Sequence, residues 1–197
     1  YLGNEYKYLR QVLQAESWSS LSGSWVSRVE AEICSVMGSR FAIAMNSGTS
    51  TLHSILESYR FTPGSEVLIP ALTVVMDATV CYLANLKPIF VDVDPKTFLM
   101  CPLDLERKIN AKSVAVITVS LYGNIPDMNK IKAICEKNAL ILIEDNAQSL
   151  IASDGEQSVG SWGVASSWSF ENTKHISSGE GGAVTTNSES LAEKVRK

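Results

Sequence analysis

The chain has 197 residues, 45% of them hydrophobic and 19% charged, which supplies ample apolar material for the core of one large domain, or of a domain with part of another. A formal net charge of -4 argues against a nucleic-acid surface, which needs clustered Lys and Arg. No apolar run approaches the roughly 20 residues of a membrane helix, so neither nucleic acid nor membrane is an expected partner.

In chain order, Tyr1-Leu-Gly-Asn-Glu5 has neither the basic region nor the apolar core of a leader peptide, and a cytoplasmic setting is expected. Tyr6, Leu9, Val12 and Leu13 predict a short amphipathic helix. Ser17 to Gly23 follows as a loop, read equally as a linker or as a substrate-facing segment that offers hydroxyls and an aromatic face. Val26, Val29, Ile33, Val36 and Met37 recur at helical spacing, with Gly38 the predicted stop. The run Phe41 to Met45 reads as a strand. Asn46-Ser-Gly-Thr-Ser-Thr51 then opens an amphipathic segment carrying Leu52, Ile55, Leu56 and Tyr59. Strand, small-residue turn and helix N-terminus together make a phosphate cradle, through free N–H groups and the positive end of the helix dipole. It is not a P-loop, since no Lys follows the glycine.

Pro63-Gly64 ends that helix, and Glu66 to Pro70 reads as the next strand. Val75, Ala78, Thr79, Tyr82, Leu83 and Leu86 keep the 3.6-residue period of a crossover helix. Pro88 to Val93 is a further strand. Pro102 suits the first turn of a short helix, with Asp104 and Glu106 near its positive end. Val114 to Val119 predicts a strand, and Met128, Ile131, Ile134 and Cys135 the helix after it. Ala139 to Ile143 is a continuous apolar run, read as a strand buried on both faces, and it leads into Glu144-Asp-Asn-Ala-Gln148. Such alternation predicts an α/β fold with a mostly parallel sheet. Right-handed crossovers bring the strand ends to one edge, where parallel sheets bind ligands, and Asp145 belongs there.

The last stretch, Ser166 to Gly182, has a strand-like approach (Val164 to Phe170), a polar turn with one lysine, and a Gly-rich exit into Ala183 to Thr186. A lysine held between two strands has a fixed position. Partly withdrawn from water, its amine can lose a proton and attack a carbonyl to form a Schiff base. Taken alone, this stretch reads more simply as a hairpin loop with a solvated lysine. With the cradle and the strand-end aspartate, however, Lys174 completes the three protein parts that a pyridoxal phosphate (PLP) site needs. The four cysteines, Cys34, Cys81, Cys101 and Cys135, form no C-x-x-C pair and read as small buried side chains in a reducing compartment. With two histidines and no Cys/His cluster, no metal site is expected. His53 and His175 are given no catalytic role.

These motifs resemble the DegT/DnrJ/EryC1/StrS sugar aminotransferases, a family of PLP fold type I. The matching segments are Asn46-Ser-Gly-Thr-Ser-Thr-Leu-His53, Val91-Asp-Val-Asp94, Leu121-Tyr-Gly123, Glu144-Asp-Asn-Ala-Gln148, and Ser169-Phe-Glu-Asn-Thr-Lys174 with Glu180-Gly-Gly182. They stand in the family's order over nearly the whole chain. The resemblance implies a mostly parallel, seven-stranded type of sheet with helices on both faces. Residues 1–197 would form the N-terminal part and the PLP-binding large domain, incomplete and without the C-terminal small domain. It further implies Lys174 as the Schiff-base lysine and Asp145 as the partner of the pyridine nitrogen. Gly48, Thr49, Ser50 and Ser169 would hold the phosphate, Gln148 the phenolic oxygen, and Ala147 would pack beneath the ring. The implied reaction moves an amino group from an amino acid, glutamate by expectation, to a nucleotide-linked keto-sugar, in a cytoplasmic homodimer.

Two departures stand out. Val74 follows Pro70-Ala-Leu-Thr73 where an aromatic ring is common, and Asn146 takes the place of a smaller residue. Two other readings stay open at this point: a PLP-dependent sugar dehydratase of the same family, in which a histidine takes the lysine's place, and a non-catalytic PLP-binding homologue. Ser188 is a plausible cap for a final helix whose stripe, Leu191, Ala192 and Val195, stops after about two turns, against about three in a typical helix. A longer parent chain is expected.

Overall fold

The computed structural model describes residues 3–19 and 22–197. A sheet of seven strands runs through it: β1 (Phe41–Met45), β2 (Glu66–Pro70), β3 (Lys87–Val91), β4 (Ser113–Val119), β5 (Ile141–Asp145), β6 (Ala165–Ser169) and β7 (Gly182–Thr186), in the order β1-β7-β6-β5-β4-β2-β3. The pairs β2–β3, β2–β4, β4–β5 and β5–β6 are parallel, while β7 is antiparallel to both β1 and β6. The mostly parallel sheet read from the alternation is the observed one, with a single reversed strand.

Side chains alternate across this sheet with period two, and each face has its own core. Val67 and Ile69 of β2, Ile117 of β4, Ile143 of β5 and Val184 of β7 pack on α3 (Gly48–Tyr59), α4 (Met76–Leu83) and α7 (Glu189–Arg196) through Leu52, Ile55, Val80, Leu191 and Val195. On the other face Leu68, Val116 and Leu142 meet Leu105 of α5 (Pro102–Lys108) and Met128 and Ile131 of α6 (Met128–Lys137). Ile33 of α2 (Trp25–Met37) extends that layer over Ala42, Trp168 and Ala183. Gly38, in the left-handed conformation, ends α2 as its position predicts. Ser188 caps α7 by accepting the Leu191 N–H at 3.3 Å, and Leu191, Ala192 and Val195 are buried. Among the described residues no helix is long and apolar enough to cross a membrane.

Three expectations shift. The strand expected over Ala139 to Ile143 runs instead over Ile141–Asp145, because Ala139 turns left-handed (φ 53°) after α6. Asp145 is therefore the last residue of a strand, held by the ladder itself. The strand expected to reach Val93 stops at Val91. At α4, the capping residue Val75 and Tyr82 and Leu83 are exposed, and Asp77, Val80 and Cys81 turn inward. The apolar period was there, but the sheet takes the face that carries the aspartate. The first helix, α1 (Glu5–Leu13), forms as expected but buries none of its side chains. The loop expected over Ser17 to Gly23 lies partly outside the described residues, at Ser20 and Leu21; in the described part Ser17 Oγ and Ser22 Oγ lie 2.7 Å apart.

β1, β5 and β6 end on one sheet edge, and β7 begins there, since Gly182 pairs with both Met45 and Ser169. A Cβ on Gly182 would lie 2.7 Å from the Ser47 carbonyl and 2.7 Å from the Trp168 oxygen, all backbone that cannot give way cheaply. Gly182→Ala should therefore destabilise the protein by about 1–3 kcal/mol, the usual range for overpacking. Chemical denaturation measures this, and an unchanged midpoint would contradict the packing described.

Candidate active site

The turn after β1 is built by Ser47. Its backbone is extended, and its Oγ accepts the Ser50 N–H at 3.1 Å, capping α3. Gly48 and Thr49 are the first residues of that helix, where backbone N–H groups have no intrahelical acceptor. A Cβ on Gly48 would stand 2.9 Å from Ser169 Cβ, so the glycine lets the end of β6 lie against the start of α3. Behind this contact Thr51 Oγ1 and Ser167 Oγ share a buried 2.5 Å hydrogen bond.

Asp145 closes the floor. It is 3% exposed, and its Oδ1 accepts the Ala147 N–H at 3.0 Å. Burial raises its pKa, opposed by that N–H, by the Asp77 side chain and by the positive charge of Lys174. Asp77, fully buried on α4, accepts a short hydrogen bond from the Thr73 hydroxyl. Its pKa lies well above the ordinary carboxylate value, through burial first and the Asp145 charge second.

Glu144, one residue before Asp145, points to the opposite face. It accepts the N–H groups of Gly160, Trp162 and Gly163 at 2.7, 2.8 and 2.7 Å, and the Asn146 amide at 3.4 Å. Those donors oppose the upward push of burial on its pKa. Asn146 also accepts from Ser149 Oγ at 3.3 Å, which gives the unusual amide a structural task tying the strand end to the next turn.

A cleft of about 230 Å³ brings together Ser47, Gly48, Thr49, Asp145, Ser169 and Lys174, with Ala147 in its wall. A second cavity, of about 480 Å³, shares Ala147 and Lys174 with it and is completed by Tyr122, Gln148, Thr173 and His175. Gln148 Oε1 accepts the Tyr122 N–H at 3.1 Å. The predicted residues thus gather at one place except Ser50, which is engaged in the cap behind the cleft wall. Val74 lines the first cleft with an aliphatic face, half exposed. Sequence reasoning missed Ser47 and Asp77. The signal for Asp77 was the spacing Thr73-x-x-x-Asp77, together with its place three and four residues before Val80 and Cys81.

The model of the DegT/DnrJ/EryC1/StrS aminotransferase family matches residues 3–197. The chain is 36% identical over 194 residues to GDP-perosamine synthase of Caulobacter vibrioides, covering 98% of this chain and 52% of that protein. It is 35% identical over 175 residues to UDP-2-acetamido-2-deoxy-3-oxo-D-glucuronate aminotransferase of Pseudomonas aeruginosa, covering 88% and 49%. Among solved structures, an aminotransferase from Psychrobacter cryohalolentis superposes with a TM-score of 0.95 at 32% identity, over 99% of this chain and 50% of that one. Ntda from Bacillus subtilis, solved with the cofactor PMP bound, superposes with a TM-score of 0.90 at 29% identity, over 96% and 42%. The chain spans about half the length of the curated relatives it matches.

Glu144→Ala should strand three backbone donors, that of Trp162 buried and those of Gly160 and Gly163 part-buried, and destabilise the protein by about 1–3 kcal/mol, the usual cost of an unsatisfied buried group, or more. Glu144→Gln, which keeps an acceptor oxygen, should lose less. Equal losses in urea denaturation would show that the carboxylate does not organise the 160–163 turn.

Proposed function

The chain belongs to the DegT/DnrJ/EryC1/StrS aminotransferase family, and we propose that it is the cofactor-binding portion of an enzyme that transfers an amino group from an amino acid to a nucleotide-linked keto-sugar. The observation that carries this reading is the single cleft shared by a helix N-terminus, a buried carboxylate and a lysine. The named relatives include an aminotransferase whose substrate is a nucleotide-linked oxo-sugar. Glutamate is the proposed donor.

PLP, the cofactor of the family's aminotransferases, fits this donor set. Gly48 has no Cβ to fill the cradle, an acid stands at the floor and an amine at the wall. When bound, PLP supplies an electron sink that lets a proton leave the donor's α-carbon. The chain's own residues do the rest. The first-turn N–H groups of Gly48 and Thr49, with the Ser169 hydroxyl, would hold the phosphate, while Ser50 supports the turn through the Ser47 cap. Asp145, buried at the cleft floor, would partner the ring nitrogen and favour its protonated form through the attraction of opposite charges. Ala147 offers the ring a small apolar surface. Gln148, its oxygen taken by the Tyr122 N–H, would offer its amide N–H groups to the phenolic oxygen. Lys174 Nζ would hold the cofactor's aldehyde, and as a free amine it would accept and return the proton. A lysine here, and no histidine, supports transamination over dehydration.

The residues that would complete the sugar pocket lie in the proposed remainder of a longer chain and in a partner subunit of a homodimer. Val75, which caps α4, and Tyr82 and Leu83 at its end are exposed apolar surface that such a neighbour would cover.

Purified protein given PLP should develop a visible absorption band that glutamate then shifts; a protein that only binds would keep the band unshifted. In the longer chain, Lys174→Ala should lose turnover with its circular dichroism unchanged. Asp145→Asn should retain cofactor and slow catalysis by orders of magnitude. An unchanged rate in either variant would overturn the corresponding role.

A further inference from the structure

Asp77 has no solvent exposure and no cationic partner among the described ion pairs. Its Oδ2 is occupied by the Thr73 hydroxyl, and its Oδ1, also buried, receives no hydrogen bond from any donor. Asp145 lines the same cleft, and each of the two carboxyls acts on the other's ionisation. Two ionised carboxylates side by side without water are strongly disfavoured, and one of them keeps its proton. The surroundings decide which. Asp145 receives a backbone N–H and the positive charge of Lys174, both of which favour its ionised form. The carboxyl of Asp77 receives only the Thr73 hydroxyl, with Cys81 Sγ bound to its backbone oxygen and not to its carboxyl.

We propose that Asp77 is a positioning residue that holds one proton against Asp145, donating a hydrogen bond to that carboxylate so that the pair carries a single negative charge beneath the cleft. Its meaning for catalysis rests on the reading of Asp145 as the partner of the ring nitrogen. The hydrogen bond from Asp77 and the Ala147 N–H then fix the carboxylate's orientation, and the proton confines the floor to the one charge that a pyridinium and Lys174 must share.

The other ionisable groups facing this spot are few. The loop after β6 brings Lys174, Glu171 and Glu180 to the cleft wall. From α4 comes Cys81, whose thiol is pushed up to about 12 by burial first and the Asp77 charge second. α3 presents Thr49 and Leu52. The one acid of β2, Glu66, begins that strand and is bound by Asn110 and Lys87. Glu144 faces its own donors on the opposite side.

The test compares the full chain, without cofactor, with Asp77→Asn, which keeps a donor toward Asp145 but cannot ionise. Asp77 is raised in the folded state, so its contribution is complete below the unfolded carboxylate pKa, about 3.9, and is lost as pH rises to the folded value. Over that window the unfolding constant of the wild type should rise relative to the variant by up to about tenfold per pH unit. Parallel pH dependences would overturn the proposal. Should the variant fail to fold, infrared spectra of wild-type protein labelled with 13C-carboxyl aspartate decide the matter. One protonated aspartate near neutral pH supports the pair, and none overturns it; the label excludes Glu144. Failure here is separable from failure of the cofactor reading. A protein that never binds PLP but shows the shared proton retains the pair and loses the proposed function. A protein that binds PLP on Lys174 without a protonated aspartate retains the function and loses the pair.

Discussion

The site depends on the reversal of one strand. β7 enters the sheet antiparallel between β1 and β6, so the chain that leaves β6 must turn back at the edge where β1 and β5 also end. The lysine rides on that turn. Gly182 makes the insertion possible, because strand backbone on one side and the Ser47 turn on the other leave no room for a side chain. A sheet of parallel strands alone would carry Asp145 and the α3 cradle to the same edge, but would send the chain away from it after β6. The reversed strand is what returns Lys174 to the cradle.

Two consecutive acids at the end of β5 show how the fold handles charge in its interior. Glu144 lies on one face, surrounded by backbone donors from the turn that precedes β6, and its role is architectural. Asp145 lies on the other face with one backbone donor, and it opens on the cleft. The period of the strand separates a fully satisfied carboxylate from one left partly unsatisfied. An incompletely satisfied buried charge raises free energy unless a ligand or a neighbour completes it, which marks such groups as functional candidates. Asp77 extends the same logic from α4, bringing a second carboxyl to the unsatisfied one.

Much of this was legible in the sequence. Phe41–Met45 and Glu66–Pro70 coincide with their predicted strands, since each is an apolar run bounded by turn-forming residues. The cradle was legible because a small-residue turn between a strand and an amphipathic helix leaves few geometries. Tertiary choice was less visible. In α4 two stripes compete, and the more apolar one faces outward because the sheet below accepts Asp77, Val80 and Cys81. An aspartate within a helix ordinarily reads as solvent-facing, and only Asp145, sixty-eight residues later in the chain, gives Asp77 a reason to turn in. Ser50 shows the reverse: its place in the turn resembles a phosphate contact, while its N–H completes the cap made by Ser47. The Asn146 departure likewise makes sense only once Glu144 and Ser149 are seen beside it.

The central claim is that Lys174 is the amine that the fold presents to a cofactor aldehyde at the sheet edge. Reducing the PLP-loaded protein with borohydride and mapping the pyridoxyl label by peptide mass spectrometry tests it directly. The account predicts one labelled peptide, containing Lys174, at close to one label per chain. A label spread over exposed lysines such as Lys130 and Lys137, with Lys174 unmodified, would contradict it.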